Sequence, residues 1–327
     1  MIILRKNTGT QRYETSKRFK MKKYAIALQA GAEDMEREQV SQEQDKQYRQ
    51  GVQHALEAGK AVLEKGGSAV DAVVAAVSSM EDNPYFNAGK GSNLNIHGET
   101  AFDAALMEGK ELRLGAIGGV RYVRNPIRLA QALMLNEKYC FLSGSGAEEY
   151  ALSHDIPFEK PSYFVTEAQQ KRWQKKTGEM AGQHDTVGAV ALDQDGNLAA
   201  ATSTGGLFYS LKGRISDSPI AGAGTYAHNK HCAVSCTGVG EEIMRSVLAH
   251  EVYALMKYTH ASIKEASEKA VQMHKDLLKG GKGLVALDPE GNIACAFDTN
   301  FMRRGYLVEG SAPVIALWKE EGATGEV

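Results

Sequence analysis

The stretch His184-Asp185-Thr186-Val187-Gly188, running on into Ala189, Val190, Ala191 and Leu192, places an acidic residue and a threonine at the mouth of a hydrophobic strand. Thr186 is the candidate reactive residue. A threonine hydroxyl is a weak nucleophile unless a base lies beside it, and one solution makes the threonine an N-terminus, so that its own α-amine is that base. An α-amine titrates near ~8, against ~10.4 for a lysine side chain, and is therefore partly unprotonated at neutral pH. Breaking the chain between Asp185 and Thr186 would create that group.

Threonines are common at strand starts, so the pair alone carries little weight, and its surroundings matter more. Residues 166–185 are polar and charged, and apolar patterning resumes abruptly at Thr186. This composition is expected of a mobile, solvated linker, with an ordinary surface loop as the alternative. A cut here divides the chain in two: 1–185, read as an N-terminal tail (1–20) followed by a first subunit (21–185), and a second subunit (186–327), the two subunits together forming one domain.

The 327 residues, 43% of them hydrophobic, suffice for a substantial core. Thirty-eight basic against forty acidic residues leave a net charge of -2, no electrostatic footprint for nucleic acid or an anionic membrane. A small-molecule substrate is the expectation. No stretch approaches the ~18 apolar residues of a membrane span. Met1 to Lys20 is basic and lacks the apolar region of a secretory signal. Cys140, Cys232, Cys236 and Cys295 have neither disulfide-framework nor zinc spacing, since four residues of strand set Cys232 and Cys236 roughly 13 Å apart. They read as buried thiols of a cytoplasmic protein.

Working outward, Tyr24 to Leu28 reads as a strand, and the charged stretch from Glu33 to Gln50 leads into a helix ending near Lys65 at Gly66 and Gly67. Ser68 and Asp71 form a capping pattern ahead of Val70, Val73, Val74 and Val77. That helix stops before Asn83 and Pro84, and a glycine-rich loop, Phe86-Asn87-Ala88-Gly89-Lys90-Gly91, follows. Strands are expected around Ala101 to Met107, Leu114 to Val120 and Tyr139 to Leu142, with helices from Asn125-Pro126 and from Ala147. Two similar runs, Ala191 to Ala199 and Ala286 to Ala294, each carry a glycine turn between apolar segments and read as hairpins. Helices over about Glu241 to Lys257 and Ala261 to Leu278 lie between them. The pattern predicts an α+β fold with antiparallel sheet layered between helices.

Four clusters stand in order: Asn87 in its loop; Thr186; Thr202 to Gly206 (TSTGG) with Gly213, Arg214, Asp217, Ser218 and Pro219; and Cys236-Thr237-Gly238-Val239-Gly240-Glu241. Together they resemble the plant-type asparaginase and isoaspartyl peptidase family of N-terminal-nucleophile hydrolases, over about Tyr24 to Tyr306. The resemblance implies a four-layer αββα sandwich, self-cleavage before the threonine, and a homodimer of processed αβ units. It implies hydrolysis of L-asparagine and β-aspartyl dipeptides, with no cofactor for catalysis.

By the same resemblance the nucleophile falls on Thr186, its hydroxyl partner on Thr204, the oxyanion hole on Thr237 and Gly238, and an active-site asparagine on Asn87. Arg214 and Asp217 fall on the substrate's α-carboxylate and α-amine, a pairing whose chemistry is sound because guanidinium grips carboxylate through a fork and carboxylate holds ammonium. Gly238 and Gly240 allow close backbone approach. Relatives hold a structural sodium ion on backbone carbonyls matching Met80, Glu81, Asn83, Phe86, Ala88 and Lys90.

Two segments depart from the family pattern. Gln29-Ala30-Gly31 stands where relatives carry a histidine and two glycines, which bears on self-cleavage, and Leu207-Phe208-Tyr209-Ser210 replaces the usual methionine, threonine, asparagine and lysine. The alternatives are a glycosylasparaginase acting through the same threonine, and an uncut, non-catalytic binder of aspartyl compounds.

Overall fold

The hairpin that carries Thr186 forms the middle of the molecule. In the computed structural model, which describes residues 23–175 and 185–322, Val187–Leu192 and Leu198–Thr204 pair antiparallel, Val187 opposite Ser203. The expected tail at 1–20, His184 and the rest of the linker at 176–183 lie outside the described residues.

In chain order the elements are β1 (Ala25–Glu33), α1 (Gln42–Glu64), α2 (Ala69–Glu81), β2 (Phe102–Glu108), β3 (Leu114–Val120), α3 (Pro126–Met134), β4 (Phe141–Ser143), α4 (Gly144–Ser153), α5 (Pro161–Phe164) and α6 (Glu167–Lys175). Then follow β5 (Val187–Leu192), β6 (Leu198–Thr204), β7 (Thr225–His228), β8 (Cys232–Gly238), α7 (Gly240–Ser246), α8 (Leu248–Thr259), α9 (Ile263–Gln272), β9 (Lys282–Leu287), β10 (Ile293–Phe297), β11 (Phe301–Val308) and β12 (Val314–Trp318).

The strands form two sheets. One has eight strands in the order β12-β11-β1-β5-β6-β2-β3-β4, the other four in the order β10-β9-β8-β7. Pairing is antiparallel except between β3 and β4. Strands β1, β5 and β6 are buried on both faces, and apolar for most of their length, because each face meets a core. Ile26, Leu28, Val187, Ala189, Ala199 and Ala201 pack in one cluster with Val52 and Leu56 of α1 and Val73 and Val77 of α2. Their neighbours Ala25, Ala27, Val190, Leu192 and Ala200 meet Ala233, Val285 and Leu287 of the second sheet. The other face of that sheet, with Val234, Leu284 and Ala286, packs on Val252 of α8 and Ala266 and Ala270 of α9.

The helix starts follow local chemistry. Ser41, Ser68 and Ser262 each accept a backbone N–H three residues on, from Gln44, Asp71 and Glu265. The two hairpins read from sequence are both present, one in each sheet, and their turns are built alike: Asp193 accepts from the N–H of Asp195 and Asn197, Asp288 from those of Glu290 and Asn292.

Several boundaries differ from the sequence-based expectation. The first strand runs on to Glu33 because β11 and β5 flank it on either side. The expected helix over 241–257 is broken at Val247, left-handed at φ 49°, which also caps α7. The next helix stops at Gln272, where Met273 is extended. Residues 167–175, expected within the mobile linker, form α6. The Trp173 indole donates to the Asn95 carbonyl at 2.9 Å, Arg172 to Asn93 Oδ1 at 3.2 Å, and the Gln169 amide to the Gly91 carbonyl at 2.9 Å. Cys140 is exposed and Cys295 half-buried, so only Cys232 and Cys236 are the buried thiols expected, and burial pushes both well above the usual thiol range. No helix among the described residues is long and apolar enough to cross a membrane.

Candidate active site

Thr186 lies at the entrance to β5 and is buried; its hydroxyl donates to Thr204 Oγ1, at the end of β6, at 3.3 Å. The hairpin register sets this distance, since Ser203 pairs with Val187 and the next residue on each strand turns its hydroxyl to the same side. Thr204 Oγ1 also lies 3.3 Å from the Asp185 carbonyl, to which it can donate, and accepts the Gly206 N–H at 3.2 Å.

Asn87 enters from the loop after α2. Its side-chain amide donates to the Asp185 carbonyl at 2.7 Å and to the Gly206 carbonyl at 2.8 Å, while its Oδ1 accepts the Asn93 N–H at 2.7 Å. The Gly205 N–H donates to the Asn87 carbonyl at 2.8 Å, so the asparagine is tied to the TSTGG turn by backbone and side chain alike. The carbonyl of the Asp185–Thr186 bond thus faces two donors, and the Thr186 hydroxyl is bonded to one of them, Thr204.

A small cleft is lined by Asp185, Thr186, Thr204, Gly206, Leu207, Arg214, Ser216, Asp217 and Gly238. Of the residues nominated from sequence it gathers Asp185, Thr186, Thr204, Arg214, Asp217 and Gly238; Asn87, Thr237 and Gly240 are not among its lining residues. Asp217 is buried, and one of its oxygens, Oδ2, has no hydrogen-bond partner among the described residues. Burial pushes its carboxyl up to about 7 against the pull of Arg214, with Asp103 and Glu241 adding to the rise. Arg214 does not fork onto Asp217. Its Nε and terminal nitrogen instead donate to Glu241 at 3.0 and 3.1 Å. Gly240 lies against both side chains: a Cβ there would stand 2.7 Å from Asp217 Oδ1 and 2.8 Å from Arg214.

Thr237 and Gly238 end β8. Gly238 has φ +130°, and a Cβ would collide with the Gly281 carbonyl and with Lys282, so only glycine fits. The Thr237 hydroxyl is fully buried and has no partner among the described residues. The departing residue Gln29 abuts this strand end. Its side-chain amide nitrogen donates to the Cys236 carbonyl at 3.3 Å, and its Oε1 accepts the Gly31 N–H at 3.0 Å.

The second departing segment forms a wall. Leu207 lines the cleft, Phe208 is buried beneath the Arg172 guanidinium at 4.1 Å, and the Tyr209 N–H donates to the Leu94 carbonyl at 2.7 Å. Met80, Glu81, Asn83, Phe86, Ala88 and Lys90 lie outside the cleft, in the end of α2 and the loop that presents Asn87. Glu81 is buried beneath it, accepting from Ser203 at 2.6 Å and the Ile127 N–H at 3.0 Å, and burial raises its carboxyl to about 8. Among the described residues no group of three or more His, Cys, Asp or Glu side chains could hold a metal ion.

Sequence reading missed Glu241 as the Arg214 partner, Asn93 as the support of Asn87, and the buried pair Arg303–Glu33 at 2.9 Å, whose guanidinium also binds the Asp185 carboxylate. One signal for the last was present: two adjacent arginines, Arg303 and Arg304, inside an apolar strand, where one on each face must find a buried partner.

A hydroxyl pair across a hairpin, beside a buried carboxylate and guanidinium, defines a site suited to attacking a carbonyl next to a charged group. The chain matches the family described as asparaginase over residues 22–316 and belongs to it; it is an enzyme of that family's amidohydrolase class. It is 40% identical over 313 residues to the isoaspartyl peptidase of Salmonella typhimurium, covering 92% of this chain and 100% of that one. It is 39% identical over 317 residues to the isoaspartyl peptidase of Escherichia coli (93% and 99%), and 43% over 256 residues to the isoaspartyl peptidase/L-asparaginase of Danio rerio (76% and 82%).

Proposed function

We propose that this enzyme releases L-aspartate from β-aspartyl dipeptides and from L-asparagine, using Thr186 freed as an N-terminus by self-cleavage after Asp185. The observation that carries the reading is the Asp185 carbonyl, held 2.7 Å from the Asn87 amide and 3.3 Å from the Thr204 hydroxyl, with Thr186 Oγ1 bonded to the same threonine. In the cut, Thr186 Oγ adds to that carbonyl carbon, the C–N bond breaks with a proton passing to the nitrogen, and water hydrolyses the resulting ester. Asp185 then ends in a carboxylate and Thr186 in a free amine.

In turnover that amine takes the hydroxyl proton, and Oγ attacks the side-chain amide carbon of the substrate. Ammonia or an amino acid leaves, and water releases aspartate from the acyl-threonine. Thr237 and Gly238 serve as donors to the oxyanion, a role supported by the buried Thr237 hydroxyl, which has no partner among the described residues. Arg214 takes the α-carboxylate, oriented by Glu241, and Asp217 takes the α-ammonium with Oδ2, the oxygen without a partner among the described residues. Ordinary α-peptides, which lack both free groups beside the scissile amide, would be poor substrates.

The layer order helix, sheet, sheet, helix is our reading of the three packed clusters, and a homodimer of processed αβ units in the cytoplasm belongs to the same proposal. A structural sodium ion does too. The carbonyls of Glu81 and Asn83 each accept one backbone N–H, from Lys90 and Phe86, and keep a second lone pair, and an all-oxygen donor set suits a hard cation. These with Phe86, Ala88 and Lys90 would hold it and stiffen the loop that presents Asn87. The test is Thr186→Ala assayed on a β-aspartyl dipeptide and on L-asparagine. No turnover and an uncut chain are expected; retained hydrolysis refutes the mechanism.

A further inference from the structure

Asp185 is held at both ends. Its carbonyl lies on Asn87 and Thr204, and its carboxylate is bound by the Arg303 guanidinium from β11. Arg303 is 1% exposed and is itself fixed on every side: Nε donates to the Ala30 carbonyl at 2.5 Å, a terminal nitrogen donates to Glu33 at 2.9 Å, and the plane lies 4.7 Å over the Tyr48 ring and 5.2 Å from Phe301. Gly31 makes room for the arrangement. With φ +103° at the irregularity of β1, it has no Cβ where one would strike both the Asp185 carboxylate and Arg303.

We propose that Arg303 is a positioning residue for self-cleavage: by gripping the Asp185 side chain, it fixes the carbonyl of the Asp185–Thr186 bond on Asn87 and Thr204, in line for attack by Thr186. This rests on the reading of Thr186 as a self-released N-terminus. A buried, stacked guanidinium with its remaining direction toward the residue before the cut is a rigid anchor, whereas an unanchored Asp185 would rotate about its own backbone and lose the aligned geometry that intramolecular reactions need. The grip also links the cut to folding. Arg303 lies 118 residues beyond Asp185 and reaches it only after β11 has joined β1, so the bond is aligned when the central sheet is complete. The Gln29-Ala30-Gly31 segment is then part of the cleavage apparatus, since Ala30 and Gly31 shape the seat of Arg303.

The test is a double-mutant cycle on cleavage rate. Full-length chain is made by cell-free translation and appearance of the 142-residue fragment is followed by denaturing gel for wild type, D185A, R303M, R303K and D185A/R303M. D185A leaves the Arg303–Glu33 pair intact, so its fold is safeguarded and is checked by its melting temperature. D185A and R303M should each cut about tenfold or more slowly, R303K should recover part of the rate, and the double variant should be no slower than the slower single one. D185A cutting at the wild-type rate, or effects that simply multiply, overturns the proposal. A wild-type chain that never cuts overturns the underlying reading instead.

Discussion

Gly240→Ala tests the substrate clamp without touching the bond to be cut. The new Cβ would stand 2.7 Å from Asp217 Oδ1 and 2.8 Å from the Arg214 guanidinium, roughly 0.6 to 0.7 Å inside the 3.4 Å at which ordinary contact begins. The backbone can accept the methyl, since Gly240 opens α7 without a left-handed φ, and alanine is favoured over glycine in a helix by about 0.8–1 kcal/mol. The two side chains must therefore move apart. Displacing one charged hydrogen bond to the substrate costs about 1.5–3 kcal/mol, a loss of roughly 10- to 150-fold in kcat/KM. Steady-state release of aspartate from a β-aspartyl dipeptide should show this mainly as a raised KM, while the melting temperature and the fraction of chain cut stay at wild-type values. Unchanged kcat/KM would refute the placement of the α-carboxylate and α-ammonium between Arg214 and Asp217.

Other consequences can be checked alongside. Asp217 must be ionised to hold an ammonium group and its carboxyl sits at about 7, so kcat/KM should fall tenfold per unit below that pH; a limb near the ordinary 3.8 would contradict the role. The same rise makes its neutral form the one that favours folding, a contribution full below 3.8 and lost as pH climbs through about 7, so D217N should melt above wild type at pH 8 and not at pH 4. Thr204→Val removes a hydroxyl beside both the Asp185 carbonyl and Thr186 Oγ1, and should slow cutting by about tenfold or more in a time course of fragment appearance. Trp173→Ala gives up the bond to Asn95 and the packing on Gly98, and limited trypsin digestion should then cleave at Lys171 or Lys175 faster than in wild type.

How far the site was legible from the chain depended on whether its chemistry was local. Thr186, the TSTGG turn and the Cys236–Glu241 run could be nominated because each is a short stretch with its own glycines, and both hairpins were readable from the repeated aspartate–glycine turn. Partners brought together by topology were not. Arg303 reaches Asp185 through the β11-β1-β5 order, and Glu241, in the first turn of α7, takes the Arg214 fork from the loop after β6. Helix α6 escaped for another reason: its polarity predicts a solvated linker, yet three of its polar side chains, Gln169, Arg172 and Trp173, dock by hydrogen bonds on the loop after Asn87.

Whether the bond before Thr186 is cut can be read from the intact mass of the purified, denatured protein. The account predicts two chains, of 185 and 142 residues from the 327, the second beginning at Thr186. A single uncut chain that persists after long incubation while the protein still hydrolyses β-aspartyl dipeptides would contradict it.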